Sequence, residues 1–176
     1  MIVLGIDPGT ASTGYGVVRA SGTRLHALAT GVIDTRAGIP PERRLAEIHA
    51  RVCELLDRHR PEALAIEGLY FGANARTAFA VGQARGVVLL AAGERGVPPH
   101  SYTPQQVKDA VCGHGGAAKD QVRNMVARLL ALPPPPPRDH TADALAVAIC
   151  HLNRAPVARA VAAAAQSNSV HRGAPR

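Results

Sequence analysis

Two acidic residues each follow a short apolar run directly. Asp7 ends the run of residues 1–6 and stands before a proline and a glycine, and Glu67 ends the run ALAI and stands before a glycine. Apolar runs of this length that stop at such turns predict strands buried on both faces. In an open sheet the carboxyl ends of these strands form the ligand-binding edge. We therefore expect both carboxylates at one edge, where their hard oxygen atoms suit a divalent cation.

A third acidic cluster opens the last predicted helix, residues 139–152. Asp143 follows His140 by three positions and Asp139 by four, so on a helix all three side chains face one way. The rest of this helix is apolar, which places Asp143 at the edge of the core. A carboxylate in that position needs a partner.

Each of these acids also has an ordinary explanation. Asp7 fits a surface turn, Asp139 fits a helix N-cap, and Asp143 fits an acid placed against the helix dipole. Three acids that converge favour a common site instead. No Ser/His or Cys/His nucleophile is indicated, since His114 stands in a glycine-rich loop typical of solvated residues.

The segments that must position these acids predict an α/β domain. Residues 14–20 and 25–34 have the pattern of strands joined by a short turn, which with the first strand gives a three-stranded meander. Gly14 and Gly16 leave room for something large beside the second strand. Further strands are predicted at 63–67 and 97–102, and helices at 40–60, 74–92, 105–111, 119–132 and 139–152.

The predicted helix at 74–92 is apolar nearly all round between Ala78 and Leu90. Such a helix is buried on more than one side, and a domain of this size covers one side easily. We expect a second subunit to cover the other side. The alternative is that this helix is the central helix of the core.

Composition limits the class of protein and of partner. A chain of 176 residues suits one domain, and 20 Lys+Arg against 13 Asp+Glu give a net charge of +7, which suits a polyanionic partner. Four of the arginines lie in the acid-free segment 154–176, which is otherwise rich in Ala and Ser. We expect a folded domain at 1–153 and a disordered basic tail at 154–176.

The cysteines and the hydropathy pattern indicate an intracellular protein. Cys53, Cys112 and Cys150 are far apart and form no C-x-x-C pair, so neither a disulfide framework nor a zinc site is indicated. No apolar run approaches the about 18–20 residues of a membrane span, and the N-terminus lacks the basic flank of a signal peptide. We expect a cytoplasmic protein with no membrane partner.

Four segments carry a specific family resemblance. IDPGTASTGYGVV at 6–18, ALAIEGLYFGANARTA at 63–78, YTPQQVKDAVCGHGGAAKDQV at 102–122 and DHTADALAVAICH at 139–151 resemble the RuvC family of bacterial Holliday junction resolvases, within the ribonuclease H-like superfamily. The resemblance runs from about residue 2 to residue 153, in family order and spacing.

The resemblance implies a fold, an activity and partners. The expected fold is the ribonuclease H-like α/β fold, with a mixed five-stranded sheet of an antiparallel meander plus two parallel strands, flanked by helices. The expected activity is metal-dependent nicking of two symmetrically placed strands of a four-way DNA junction, in recombination and repair. A homodimer is implied, as is a partnership with the RuvA–RuvB branch-migration complex in the bacterial cytoplasm.

The family motifs assign the site to Asp7, Glu67, Asp143 and the position of His140. Most of the family has aspartate where this chain has histidine. Two Mg²⁺ or Mn²⁺ ions per subunit would bind these residues, with Asp7 as the bridging ligand. Because an imidazole is neutral and softer than a carboxylate, we expect Mn²⁺ to be favoured. Asp139 is the alternative to His140 as the fourth ligand.

Four further residues are expected to contact DNA. Lys108 and Lys119 match the family's DNA-facing lysines, and Tyr70 matches an aromatic ring that stacks on an unpaired base near the cut, a role that Phe71 could take instead.

Other classes of function remain open at this stage. A nuclease specific for RNA–DNA hybrid and a non-catalytic DNA-binding module would both retain a basic surface. An Ile-Asp-x-Gly-Thr segment also opens the actin and sugar-kinase ATPase fold, but that fold needs two such halves and about double this length.

Overall fold

The structure is a computed structural model that describes residues 1–68, 75–134 and 136–171. Three strands come first, helices and strands then alternate, and three helices follow the last strand. The strands are β1 Ile2–Asp7, β2 Ser12–Ser21, β3 Arg24–Asp34, β4 Ala63–Glu67 and β5 Pro99–Tyr102. The helices are α1 Pro41–His59, α2 Ala75–Glu94, α3 Pro104–Cys112, α4 Lys119–Leu129 and α5 Asp139–His171.

The five strands form one mixed sheet in the order β3-β2-β1-β4-β5. β1 pairs antiparallel with β2, and β2 pairs antiparallel with β3, which is the predicted meander. β4 pairs in parallel with both β1 and β5. The predicted fold class is therefore confirmed, and β1 lies at the centre of the sheet.

The two faces of the sheet are covered by different helices. Val3 and Leu4 are adjacent in β1 and point to opposite faces, and both are fully buried. Val3 packs in a core cluster with α3, α4 and α5, whereas Leu4 packs in a second cluster with α1 and α2. The continuous apolar sequence of β1 is explained by this burial on both faces.

Local sequence signals explain where the helices begin and end. Pro40 precedes α1 as its N-cap residue, and a proline fills the first position of the helix, where the missing N–H is not needed. Thr103 and Gln106 form a reciprocal capping box at the start of α3, which satisfies two of its free N–H groups. Gly113 ends α3 with φ of 81°, a conformation that favours glycine.

Helix α5 lies directly against three glycines of β1 and β2. A Cβ atom at Gly14 would overlap the carbonyl oxygen of His140, and one at Gly16 would lie 2.6 Å from Leu145 Cδ2. A Cβ at Gly5 would lie 2.9 Å from that of Ala148. The space predicted beside Gly14 and Gly16 is therefore filled by a helix of the same chain.

The helix α5 continues well past the domain boundary that the sequence predicts. It extends as a helix to His171, whereas we expected a disordered tail from residue 154. The division into a nuclease domain at 1–153 and a separate basic tail at 154–176 stays a prediction.

Among the described helices, none is both long enough and apolar enough to cross a membrane.

We predict that Gly14→Ala destabilises the fold by about 1–3 kcal/mol, because the new methyl group forces α5 away from β2. Urea denaturation measures the change. The control is Gly116→Ala, where the nearest atom to an added Cβ is His114 Nδ1 at 3.8 Å, so its effect should stay within about 1 kcal/mol. Equal stability of the two variants would contradict the packing described for α5.

Candidate active site

The sheet and α5 bring the predicted acidic residues to one edge of the molecule. Ile6 of β1 pairs with Ile66 of β4 in parallel register, so Asp7 and Glu67 leave neighbouring strands side by side at their carboxyl ends. Asp143 lies near the start of α5, the helix that crosses this edge. Asp7 and Asp143 both affect the ionisation of Glu67, which places the three carboxylates in one electrostatic environment.

His140 contacts the central carboxylate directly. Its Nδ1 lies 2.7 Å from Asp7 Oδ2, a separation that requires a proton between the two atoms. When Nδ1 donates that proton, Nε2 is the nitrogen that carries a lone pair. The His140 side chain is 54% exposed and that of Asp7 is 20% exposed, so this contact is accessible from solvent.

Glu67 has the most perturbed carboxyl group of the site. Burial, and next the negative charges of Asp7 and Asp143, raise the pKa of Glu67 to about 7, although Lys119 and Lys108 oppose the shift. Burial also raises the pKa of Asp143, with Lys119 opposing and Asp7 adding to the effect. Burial is thus the main reason that both carboxyl groups are harder to ionise than in water, and the other acids add to it.

Asp139 faces a different set of partners from His140. Its carboxylate lies 3.2 Å from Lys119 Nζ and 3.2 Å from Arg123 Nη1, and hydrogen bonds from these two side chains lower the pKa of Asp139. Lys119 Nζ also lies 3.5 Å from Asp143 Oδ2. Asp139 thus links α5 to α4, and Lys119 contacts both Asp139 and the site residue Asp143.

The ligand atoms of Asp7, Glu67, His140 and Asp143 suit divalent cations, but they do not surround a single ion. Within the described residues, no three of these four side chains bring their ligand atoms within 4.8 Å of one another. Ligands of a single ion would lie closer than that, whereas two ions about 4 Å apart spread their ligands further. Carboxylates that raise one another's pKa gain most from a bound cation, so the residues fit the expected metals.

Arg85 is a residue of this site that sequence reasoning missed. Its guanidinium donates to the carbonyl oxygen of Glu67 at 2.7 Å and to Ser101 Oγ at 2.6 Å. These bonds fix the end of β4 against α2 and β5. A signal was present, because Arg85 is the only ionisable residue between Ala78 and Leu90, a segment in which Gln83 is the only other polar residue.

The expected DNA-contacting residues divide into two groups. Lys119 is 58% exposed at the site, and Lys108 acts on Glu67 electrostatically from α3, so both cations lie beside the acids. Tyr70 and Phe71 lie outside the described residues, and their proposed stacking on a base stays a prediction.

Comparisons with known proteins give one consistent result. A family model described as "Crossover junction endodeoxyribonuclease RuvC" matches residues 3–151. The chain is 54% identical over 156 residues to the protein of that name from Moorella thermoacetica, covering 89% of this chain and 93% of the relative. The counterpart from Pelotomaculum thermopropionicum is 52% identical over 151 residues, covering 86% and 92%.

A solved structure is similar over nearly the whole domain as well. It is described as the Thermus thermophilus RuvC in complex with Holliday junction substrate. It is 45% identical to this chain with a TM-score of 0.86, and the match covers 90% of this chain and 96% of the other.

We predict that Glu67→Gln stabilises the metal-free protein at pH 8 by about 1–2 kcal/mol. Solvent screening of this partly exposed group makes the gain smaller than the full pKa shift would give. A carboxyl whose folded pKa is raised binds more protons when folded than when unfolded. Its effect on stability therefore becomes less favourable as pH rises from the ordinary value of 4.5 to about 7. Glutamine removes this penalty.

Urea denaturation in the presence of a chelator, at pH 4 and pH 8, measures the effect. The gain should vanish at pH 4, where the carboxyl is protonated in both states. Glu47→Gln, at an exposed position of α1, is the matched control and should show little change at either pH. A Glu67→Gln variant less stable than the wild type at pH 8 would contradict the raised pKa of the Glu67 carboxyl.

Proposed function

The chain belongs to the RuvC family of crossover junction endodeoxyribonucleases, and on this basis we propose that it resolves four-way DNA junctions. It does so by nicking two symmetrically placed strands of like polarity, in recombination and repair. The observation that carries the proposal is the convergence of Asp7, Glu67 and Asp143 at the edge of the sheet. The charges of Asp7 and Asp143 contribute to the raised pKa of Glu67, which indicates that the three groups lie close together.

Hydrolysis of a phosphodiester requires what such a cluster offers. Negative charge develops on the attacking and leaving oxygens. When bound, two divalent cations stabilise that charge and activate the attacking water. Asp7, Glu67 and Asp143 would hold these ions, and the family motifs assign Asp7 to both of them. Arg85 keeps Glu67 in place through its carbonyl oxygen.

We propose His140 rather than Asp139 as the fourth ligand. His140 contacts Asp7, whereas both oxygens of Asp139 are engaged by Lys119 and Arg123. An imidazole is a neutral ligand, so this site carries one negative charge fewer than an all-acid site. Mn²⁺ accepts nitrogen ligands more readily than Mg²⁺ does. We therefore propose Mn²⁺ or Mg²⁺ as cofactors, with Mn²⁺ favoured.

We propose that Lys108 and Lys119 bind the scissile phosphate as well as the flanking DNA backbone. Both cations act on the pKa of Glu67, which puts them within electrostatic range of the acids. An exposed ammonium beside a metal site attracts the phosphate without reading sequence.

The outer side of α2 supports the proposal of a homodimer. Phe79 and Leu90 are 69% and 56% exposed, and they lie three helical turns apart on one side of α2. An added Cβ at Gly82 or Gly86 on the same side would meet nothing within 4 Å. An apolar stripe with glycines allows close approach of another helix, and junction cleavage on two strands needs two sites.

Two finer proposals rest on the family alone. The chain would act with the RuvA–RuvB branch-migration complex, and it would do so in the bacterial cytoplasm, where the chromosome lies. The relatives found are bacterial proteins.

We predict that Asp7→Asn, Glu67→Gln and Asp143→Asn each reduce the rate of junction nicking more than about 100-fold. Loss of a residue that only hydrogen-bonds to a metal ligand typically costs about 10–100-fold. Junction binding should survive, because affinity comes mainly from phosphate contacts. Cleavage of a labelled four-way junction, a linear duplex and an RNA–DNA hybrid, with gel-shift assays in parallel, measures both properties.

Preferential cutting of the hybrid by the wild type would instead favour a ribonuclease. Junction binding without metal-dependent cutting of any substrate would favour a DNA-binding module. Gel-shift affinity that falls in step with activity in all three variants would remove the assignment of these residues as metal ligands.

We predict that His140→Asp raises the cleavage rate in Mg²⁺ relative to Mn²⁺ by about tenfold, the effect of about 1.4 kcal/mol in ion affinity. The added carboxylate restores the all-oxygen ligand set that Mg²⁺ prefers. The neighbouring change Asp139→Asn is the control and should alter the ratio less. The opposite pattern in the two variants would identify Asp139 as the ligand.

A further inference from the structure

A second group of ligand-type side chains lies on the opposite layer of the molecule, between α1 and α2. His49 and Cys53 are four residues apart in α1 and face the same side of the helix. Glu94 is the last residue of α2. Among the described residues, these are the three His, Cys, Asp or Glu side chains whose ligand atoms all lie within 4.8 Å of one another.

The ligand atoms of this group are nearly as far apart as the ligands of one tetrahedral ion. Cys53 Sγ lies 3.6 Å from His49 Nε2, and that nitrogen lies 3.0 Å from Glu94 Oε2. A zinc ion with bonds of about 2.3 Å to sulfur and 2.0–2.2 Å to nitrogen and oxygen separates its ligand atoms by about 3.3–3.6 Å. The 3.0 Å between nitrogen and oxygen is a hydrogen-bond distance, so the carboxylate would have to move back by about 0.3 Å to admit the ion.

The chemistry of the donors differs from that of the junction-cutting site. One nitrogen, one sulfur and one oxygen suit a borderline ion such as Zn²⁺ and not Mg²⁺, which prefers oxygen alone. Cys53 is only 9% exposed, and burial raises the pKa of its thiol. The thiol therefore keeps its proton until a metal displaces it, and the S–H proton passes to solvent as the metal–sulfur bond forms.

Glu94 is also available for metal binding despite a neighbouring cation. Arg95 approaches Glu94 Oε2 at 3.4 Å, but it is held more closely by Asp57 through two bonds of 2.7 and 3.0 Å. Arg95 thus keeps its main partner when the carboxylate of Glu94 turns toward a metal.

We propose that His49, Cys53 and Glu94 bind one Zn²⁺ ion per chain, with water as the fourth ligand. The ion links the middle of α1 to the carboxyl end of α2. The cysteine spacing gave no sign of this site, because Glu94 joins the pair on α1 only when α2 packs against α1. The simpler alternative is that His49 and Glu94 form an ion pair with no affinity for metal.

Cobalt substitution separates these alternatives. Co²⁺ bound to a thiolate gives a sulfur-to-metal charge-transfer absorption, and the site of Asp7, Glu67, Asp143 and His140 has no sulfur to produce one. We expect one equivalent of Co²⁺ to produce this band in the metal-depleted full chain, and one equivalent of Zn²⁺ to abolish it. Glu94→Gln should weaken Co²⁺ binding at least about tenfold.

The variants Cys53→Ser and His49→Ala should both lose the band. Cys112→Ser is the matched control and should retain it, because Cys112 stands on α3 away from this group. Circular dichroism confirms that each variant is folded, and Cys53→Ser should still cut junctions with Mn²⁺. Absence of the band in the wild type, or its persistence in Cys53→Ser, would overturn the proposal.

Discussion

The close contact of α5 with the glycines of β1 and β2 is the constraint on which the site depends. A side chain at Gly14 would overlap the backbone of His140, and one at Gly5 would overlap that of Ala144. Without a Cβ at these positions the helix backbone lies directly on the strands. That contact puts the start of α5 within a hydrogen bond of Asp7, so residues far apart in sequence share one edge.

Bringing the acids together works against stability, and the surrounding contacts offset it. Burial and mutual repulsion raise the pKa of Glu67 and Asp143, which marks a site more stable with cations than without. Lys119 supplies part of the missing charge and ties α4 to α5 through Asp139. Carboxyl groups with perturbed pKa values of this kind are common at functional sites.

The sequence predicts the elements of this site better than their contacts. Apolar runs that end in Asp7 and Glu67 reveal the central strands and the acids together, because strand burial and turn chemistry are local properties. The glycines at 14 and 16 show that something approaches the strand, but not that α5 is the group concerned. Arg85 and Glu94 form bonds with residues that are distant in sequence, and only the packing of α2 shows which residues these are.

Helix α2 connects features that would otherwise be independent. Arg85 bonds to the carbonyl oxygen of Glu67 and to Ser101, so α2 cannot slide along β4 without breaking one of these bonds. The apolar stripe around Phe79 and Leu90 lies on the exposed side of the same helix, and Glu94 contacts His49 of α1 at its end. Arg85 at the middle of α2 and Glu94 at its end thus attach this helix to β4, β5 and α1. Arg85, which bonds to the end of β4, and the exposed apolar stripe therefore belong to one and the same helix.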